Sequence, residues 1–308
     1  MADWTFSDIP SQRGRSVIVT GTGGLGYETA LALARAGGAI ILAGRNAAKG
    51  ATSVARIKAA IPGADVRFEE LDLASLASVR SFSDRMREQR QSLDLLINNA
   101  GVMAPPTRQA TSDGFELQFG TNYLGHFALT AHLLPLLIRG DRPRVVNLSS
   151  LAHRRGKIHF DDLQWQKTYK PWPAYSQSKL AMLMFSFELQ RRSDTAGWGL
   201  MSNAAHPGFA RTELVSNGPG ANGLLSRVSM LMQPFASHSA ADGSLPTLFA
   251  ATSPAATGSG YYGPNWFHEM KGPPEPAKVM PQAKDTAVAA KLWDMSEHLT
   301  GVGFDTVE

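Results

Sequence analysis

From residue 15 to residue 205, short apolar runs alternate with longer stretches of helical periodicity, and that alternation leaves few folds open. The runs at 16–20, 39–43, 66–68, 93–97, 144–148 and 200–204 mostly lack the polar-apolar alternation of a half-exposed strand. They read as strands covered on both faces, the mark of a parallel sheet. Helical patterns fill the gaps over 26–36, 47–60, 76–89, 114–138 and 175–192. Strand and helix in regular turn build right-handed βαβ units. The expected fold is α/β, a doubly wound (Rossmann) parallel sheet with helices on both faces. Ligands of such sheets bind beyond the carboxyl ends of the strands.

After Gly208 the texture changes to Asn217-Gly-Pro-Gly-Ala-Asn-Gly223, followed by Leu224, Leu225, Val228, Leu231 and Met232 at helical spacing. The stretch at about 213–237 reads as a short apolar helix on a hinge, either a substrate lid or an ordinary packed helix or subunit contact. Helical patterns return over 239–251 and 285–299, and Ser259–Tyr262 reads as a last strand. With 308 residues, 43% of them hydrophobic, and no break in composition, one domain over 1–308 is expected. Its nucleotide-binding half is 14–150 and its catalytic half 151–308.

Charge and composition narrow the function. A net charge of +4 would permit a polyanion partner, but the 30 Lys and Arg are interleaved with 26 acids along the whole chain, so no nucleic acid is expected. The absence of cysteine excludes disulfides, thiolate metal sites and cysteine nucleophiles. The eight histidines form no HExxH or comparable ligand spacing, so no metal is expected. The N-terminus has neither a basic start nor an apolar core, and no window holds the roughly 18 apolar residues a membrane span needs. The chain reads as soluble and cytoplasmic.

Gly21-Thr-Gly-Gly-Leu-Gly26 lies between the first strand and the first helix. A glycine-rich turn in that context lets backbone approach a pyrophosphate, whose charge meets the unpaired N–H groups of the helix start. At the end of the second strand, where an NAD enzyme offers an acid to the ribose, this chain has Arg45-Asn46, which suits a 2′-phosphate and therefore NADP(H) over NAD(H). Asp72, in Leu71-Asp-Leu73, can accept from an adenine amino group or cap a helix. Tyr175 and Lys179 stand four residues apart, one helical turn, so an ammonium can sit beside a phenol and make its ionised form cheaper.

With Asn98-Asn-Ala-Gly101, Asn122, Asn147-Leu-Ser-Ser150 and Pro207-Gly208 followed by Thr212, the chain resembles the short-chain dehydrogenase/reductases from about residue 14 to 213. Within them it is most similar to the retinol-dehydrogenase-like branch, through Asn122-Tyr-Leu-Gly-His-Phe127, Ser150-Leu-Ala-His153, Phe160-Asp-Asp-Leu163 and Leu292-Trp-Asp-Met-Ser296. One departure is that the glycine turn is a residue shorter than the family's usual turn. The resemblance implies that Tyr175 is the acid/base, that Lys179 lowers its pKa and holds the nicotinamide ribose, that Ser150 steadies the substrate oxygen, and that Asn122 holds a water linking Lys179 to solvent. It implies cofactor contacts from Gly21, Gly23, Gly24, Leu25, Gly26, Arg45, Asn46, Asp72, Leu73, Asn99, Ala100, Gly101, Tyr175, Lys179, Pro207, Gly208 and Thr212.

The expected substrate is a small lipophilic alcohol, ketone or aldehyde. Met103, Ala152, His153, Trp172, Phe209 and Leu214 would line its pocket, with Tyr261, Trp266 and Phe267 folding over. Related enzymes often pair through the helix that bears Tyr175 and its neighbour, and whether this chain forms such a homo-oligomer stays open. Two alternatives stay open: a dinucleotide-binding scaffold or sensor that has kept the fold without catalysis, and a lyase or epimerase that uses the cofactor transiently.

Overall fold

A computed structural model describes residues 3–209 and 238–304. Thr212, Leu214 and the expected lid over about 213–237 lie outside the described residues. The first half reads strand β1 (Ser16–Thr20), helix α1 (Gly24–Arg35), β2 (Ala39–Gly44), α2 (Ala47–Ala60), β3 (Val66–Glu70), α3 (Leu76–Gln89) and β4 (Leu95–Asn98). A short helix α4 (Leu117–Phe119) runs through a π-helical turn (Gly120–Leu124) into α5 (Gly125–Leu137). Then come β5 (Arg144–Leu148), a 3₁₀ turn (Leu151–Arg155), α6 (Pro171–Ala196) and β6 (Met201–Ala205). Helix α7 (Ala240–Thr252), strands β7 (Tyr261–Trp266) and β8 (Lys271–Pro276), and helix α8 (Thr286–Thr300) complete the described elements.

The sheet order is β3-β2-β1-β4-β5-β6-β7-β8. Strands β1 to β7 pair in parallel, and β8 returns antiparallel on β7. The winding reverses between β1 and β4, which opens a crevice beyond their carboxyl ends. Successive strand residues point to opposite faces and feed two cores. Val17, Val19, Ile40, Leu42, Leu95 and Ile97 pack with α1 and α7, whereas Ile18, Ile41, Leu96 and Val145 pack with α3, α5, α6 and α8. In the second core Phe127, Phe185, Trp293 and Phe304 form an aromatic cluster, with Trp293 and Phe304 centroids 4.3 Å apart. Burial of such rings from both halves of the sequence ties the C-terminal helix to α5 and α6; emptying one such ring position costs roughly 3–5 kcal/mol.

Three expectations change. The pattern over 114–138 is not one helix. Its true start is Leu117, because the fully buried Glu116 carboxylate accepts from the Gln118 and Phe119 N–H groups at 3.0 and 2.7 Å, and the ladder then widens into the π turn that carries Asn122. The helix expected from Tyr175 begins at Pro171, with proline at its first position, so Tyr175 sits inside the helix and not at its end. The last strand is the first arm of a hairpin whose second arm, Lys271–Pro276, holds three prolines and is tolerated only because it is the sheet edge.

Candidate active site

The nucleotide end is built around space. Gly21, at φ +91°, donates its N–H to Ala43 at 2.7 Å. A Cβ on Gly26 would strike the Gly21 carbonyl, and one on Gly21 would meet Asn99 Nδ2 at 2.8 Å. Asn99 closes the turn from below, donating Nδ2–H to Thr20 O at 2.6 Å, while Thr20 Oγ1 accepts from the Asn99 and Ala100 N–H groups at 2.9 Å each. Helix α1 begins at Gly24 with Gly23 as its cap and no capping side chain, and a Cβ on Gly23 would meet nothing within 4 Å. The shortened turn is therefore intact. Its Thr22 carbonyl is pinned by Ser53 Oγ at 2.7 Å, and the Thr22 methyl rests on Gly44. The uncapped helix start and the open face of Gly23 fit a pyrophosphate.

Arg45 is exposed at the end of β2. Asn46 is the cap of α2, its Oδ1 accepting from Lys49 N–H at 2.9 Å. Asp72 spends one oxygen on the Ala74 N–H at 3.0 Å, while Ser75 caps α3. Leu73 is buried, and its carbonyl is approached so closely by α5 that only Gly125 fits there.

The catalytic end is built around bonds. Ser149 and Ser150 follow β5, and the two serines divide their work: buried Ser149 donates to the Lys179 carbonyl at 2.8 Å, locking α6 to the sheet, whereas Ser150 Oγ accepts from Ala152 N–H at 3.2 Å and keeps its proton for a partner. Tyr175 is 6% exposed, and burial pushes its phenol up to about 12 against the opposing pull of the Ser150 hydroxyl. Lys179 is held down to about 8 by burial, donates Nζ–H to Leu148 O at 3.0 Å and lies 5.8 Å from the Tyr175 ring centre. The lysine is thus near the phenol, and burial is the main cause that sets the tyrosine's pKa.

Asn122 is anchored through its side chain. Its amide is fully engaged: Oδ1 accepts from Val102 N–H at 2.7 Å, and Nδ2 donates to Val102 O at 2.9 Å and Ser178 Oγ at 3.0 Å. It pins the Gly101–Met103 segment to α6. A Cβ on Gly101 would crowd Asn122 Oδ1 at 3.0 Å and stand 3.6 Å from Lys179 Nζ, so glycine keeps the floor between them open. The Asn122 backbone carbonyl accepts from His126 Nδ1–H at 2.9 Å.

The substrate expectations divide. A shallow cavity of about 330 Å³ is bounded by Leu151, Ala152, Arg154, Arg155, Trp172 and Ser176. The Trp172 ring meets Tyr175 edge-on with centroids 6.1 Å apart. Half-buried Met103 and exposed Phe209 lie on the loops after β4 and β6. His153 is fully buried, with Nδ1 on the Ser150 carbonyl at 2.7 Å and its ring against Tyr261, so it backs Ser150 and does not line that cavity. Tyr261, 3% exposed, is buried behind the same turn, its ring against His153. Trp266 and Phe267 are exposed at the β7–β8 turn.

Two histidines went unread in the sequence. His126, fully buried, donates to Asn122 O and accepts from Thr20 Oγ1 at 2.9 Å, so it bridges the catalytic π turn to the strand end beneath the glycine turn. Burial pushes it down to about 3, which keeps it neutral. His206 stands just before Pro207 and accepts from Gly208 N–H through Nδ1 at 3.2 Å. The available signal was position: one lies a helical turn after Asn122, the other adjoins Pro207-Gly208.

Residues 15–220 match the family model for short chain dehydrogenases. The chain belongs to the short-chain dehydrogenase family. It is 44% identical to human retinol dehydrogenase 13 over 94% of this chain and 85% of that protein. With mouse polyprenol dehydrogenase it shares 38% identity over 96% of this chain and 86% of the relative. Among solved structures, an uncharacterized protein from Mycobacterium paratuberculosis superposes with a TM-score of 0.82 at 41% identity, covering 99% of this chain and 100% of that one. The enzyme is accordingly an oxidoreductase of alcohol and carbonyl groups that works with a nicotinamide dinucleotide. No helix among its described residues is long and apolar enough to cross a membrane.

Proposed function

We propose that this dehydrogenase interconverts a lipophilic alcohol and its ketone or aldehyde with NADP(H) preferred to NAD(H). The observation that carries the reading is the meeting of Ser150, from the turn after β5, with Tyr175 and Lys179, one helical turn apart on α6, beside the crevice that Gly21 and Asn99 border. The names of two relatives, retinol and polyprenol dehydrogenase, both denote apolar alcohols, which supports the substrate class. Exposed Arg45 at the end of β2 supports the 2′-phosphate preference.

When bound, the dinucleotide supplies or accepts a hydride at the nicotinamide C4. Tyr175 Oη gives a proton to the substrate oxygen in reduction and takes one in oxidation. With its phenol near 12 the tyrosine is protonated at neutral pH, the form reduction needs. Ser150 Oγ–H donates to the same oxygen, where charge develops. Lys179, fixed on Leu148 O, keeps further N–H groups for the ribose and for Tyr175. Because the Asn122 amide is spent on Val102 and Ser178, its carbonyl, through the lone pair His126 leaves, is what holds the water leading from Lys179 to solvent. Pro207 and Gly208 would hold the nicotinamide end, and Gly21, Gly23 and Gly24 with the α1 start would hold the pyrophosphate.

Titration of the purified protein with NADPH and NADH, followed by cofactor fluorescence, tests the reading, together with turnover of a panel of apolar aldehydes and ketones. NADPH is expected to bind at least about tenfold tighter than NADH, and apolar carbonyls to be reduced. Cofactor binding without turnover of any carbonyl would favour a dinucleotide-binding scaffold.

A further inference from the structure

Behind the Pro207–Gly208 shelf a cluster of charged and imidazole groups plays no part in the proton path. His206 is fully buried where β6 ends. Its Nδ1 accepts from Gly208 N–H, so Nε2 carries the ring proton and donates to Glu269 Oε2 at 3.0 Å. The same carboxylate oxygen takes Arg154 at 2.6 Å, from the turn that follows Ser150, and Oε1 accepts from Lys278 N–H at 3.1 Å. One carboxylate therefore ties the Ser150 turn to the shelf.

The backbone is shaped for that contact at three points. Phe267, His268 and Glu269 have φ of +51°, +59° and +66°, a run of left-handed non-glycine residues that persists only where the surroundings impose it. This turn aims Glu269 inward and presents the Met270 carbonyl to Phe209 N–H at 2.8 Å. Gly263 on β7 makes room for the imidazole, since a Cβ there would overlap the His206 ring. Gly208, at φ +64°, has the Met270 carbonyl where a Cβ would stand. From the other side His238 Nε2–H donates to Pro207 O at 2.6 Å.

We propose that Glu269, acting through His206, is a positioning residue that sets the Pro207–Gly208 shelf, and with it the nicotinamide end of the cofactor, relative to Ser150 and Tyr175. Glu269 fixes the imidazole tautomer, the tautomer offers Gly208 its acceptor, and that bond holds the turn. The inference rests on the reading that the shelf faces the nicotinamide. Most cofactor affinity would come from the glycine turn and Arg45, far from the shelf, so loss of the clamp should lower turnover and leave binding nearly intact.

The test compares Glu269→Ala, Glu269→Gln, His206→Leu and His206→Asn with the parent protein. Hydrogen exchange of the Gly208 amide is read without ligand, and NADPH affinity and kcat for an apolar aldehyde are read with it. In Glu269→Ala and His206→Leu, Gly208 protection should fall at least about tenfold, and kcat by roughly 10- to 100-fold with NADPH affinity within about threefold. His206→Asn, whose side-chain oxygen can accept from Gly208 N–H, and Glu269→Gln, which still accepts from Nε2–H, should recover most of both. Unchanged Gly208 protection in both Glu269→Ala and His206→Leu overturns the clamp whether or not the protein binds a dinucleotide. Lost protection with unchanged kcat overturns its role in positioning. If the parent protein binds neither NADPH nor NADH, the functional reading and the nicotinamide part of this inference fall together, while Gly208 protection still decides the clamp.

Discussion

The two ends of the crevice are made by opposite means. At the catalytic end Tyr175, Lys179, Asn122 and Ser149 are buried, and the last three have side chains bonded to backbone carbonyls or amides of other elements. At the nucleotide end Gly23 faces open space, α1 starts without a side-chain cap, and Arg45 and Asn46 are exposed. Proton transfer needs groups held to fractions of an ångström before substrate arrives, and buried bonds hold them. An anion supplies its own charge and needs only N–H groups with nothing in the way. Substitutions should therefore cost chemistry at one end and binding at the other.

The largest effect should come from Tyr175→Phe. Removal of the acid/base should lower turnover by roughly 10²- to 10⁴-fold, while NADPH affinity in a fluorescence titration stays within about threefold. Substantial residual turnover would break the contrast at its catalytic side. Next come two glycines of the same turn. Gly26→Ala forces a methyl onto the Gly21 carbonyl and should destabilise by about 1–3 kcal/mol as well as weaken NADPH binding. Gly23→Ala meets no atom of the described residues and should leave the thermal midpoint near the parent's while still weakening NADPH. If Gly23→Ala binds NADPH as well as the parent, the open face is not where the pyrophosphate lies.

Arg45→Asp should be milder, weakening NADPH about tenfold through the lost charged hydrogen bond and improving NADH relative to it. An unchanged NADPH-to-NADH ratio removes Arg45 from cofactor choice. The smallest effect is on stability against pH. Burial holds His126 at about 3 and His153 at about 4, below the ordinary histidine value near 6.5. The unfolded chain then binds protons that the folded chain refuses, so the stability these groups contribute is complete above pH 6.5 and declines as pH falls toward their folded values. Urea midpoints should drop between pH 7 and pH 5.5, above the range where carboxylates titrate. A flat midpoint would mean that His126 and His153 are not held neutral as their burial implies.

Much of this molecule could be read before folding. The parallel strands, a ligand site beyond their carboxyl ends, and the Tyr175–Lys179 spacing followed from local patterns, because strand burial leaves apolar runs and a helical turn fixes which residues share a face. The sheet's antiparallel edge escaped notice, since β8, written Lys-Gly-Pro-Pro-Glu-Pro, has no strand propensity and pairs only because Tyr262 to Trp266 lie beside it. The bonds of the Asn122 amide were out of reach for a related reason: its partners, Val102 and Ser178, stand 20 and 56 residues away. His153 and Tyr261 were read as pocket residues because both side chains suit a pocket, and burial sends them behind Ser150.

The sequence alone determined the doubly wound sheet, the place of the glycine turn and the one-turn spacing of Tyr175 and Lys179, because those depend on patterns within one element or one turn, whereas the roles of Ser150, Tyr175 and Lys179 entered as what a family resemblance implies. Only the tertiary structure decided which partners each polar group keeps. It put His126 between Asn122 and Thr20, separated the tasks of Ser149 and Ser150, and drew Arg154 and His206 onto the Glu269 carboxylate. A buried polar group must find a bond wherever packing brings a donor or acceptor, and packing is set by contacts that no local pattern records.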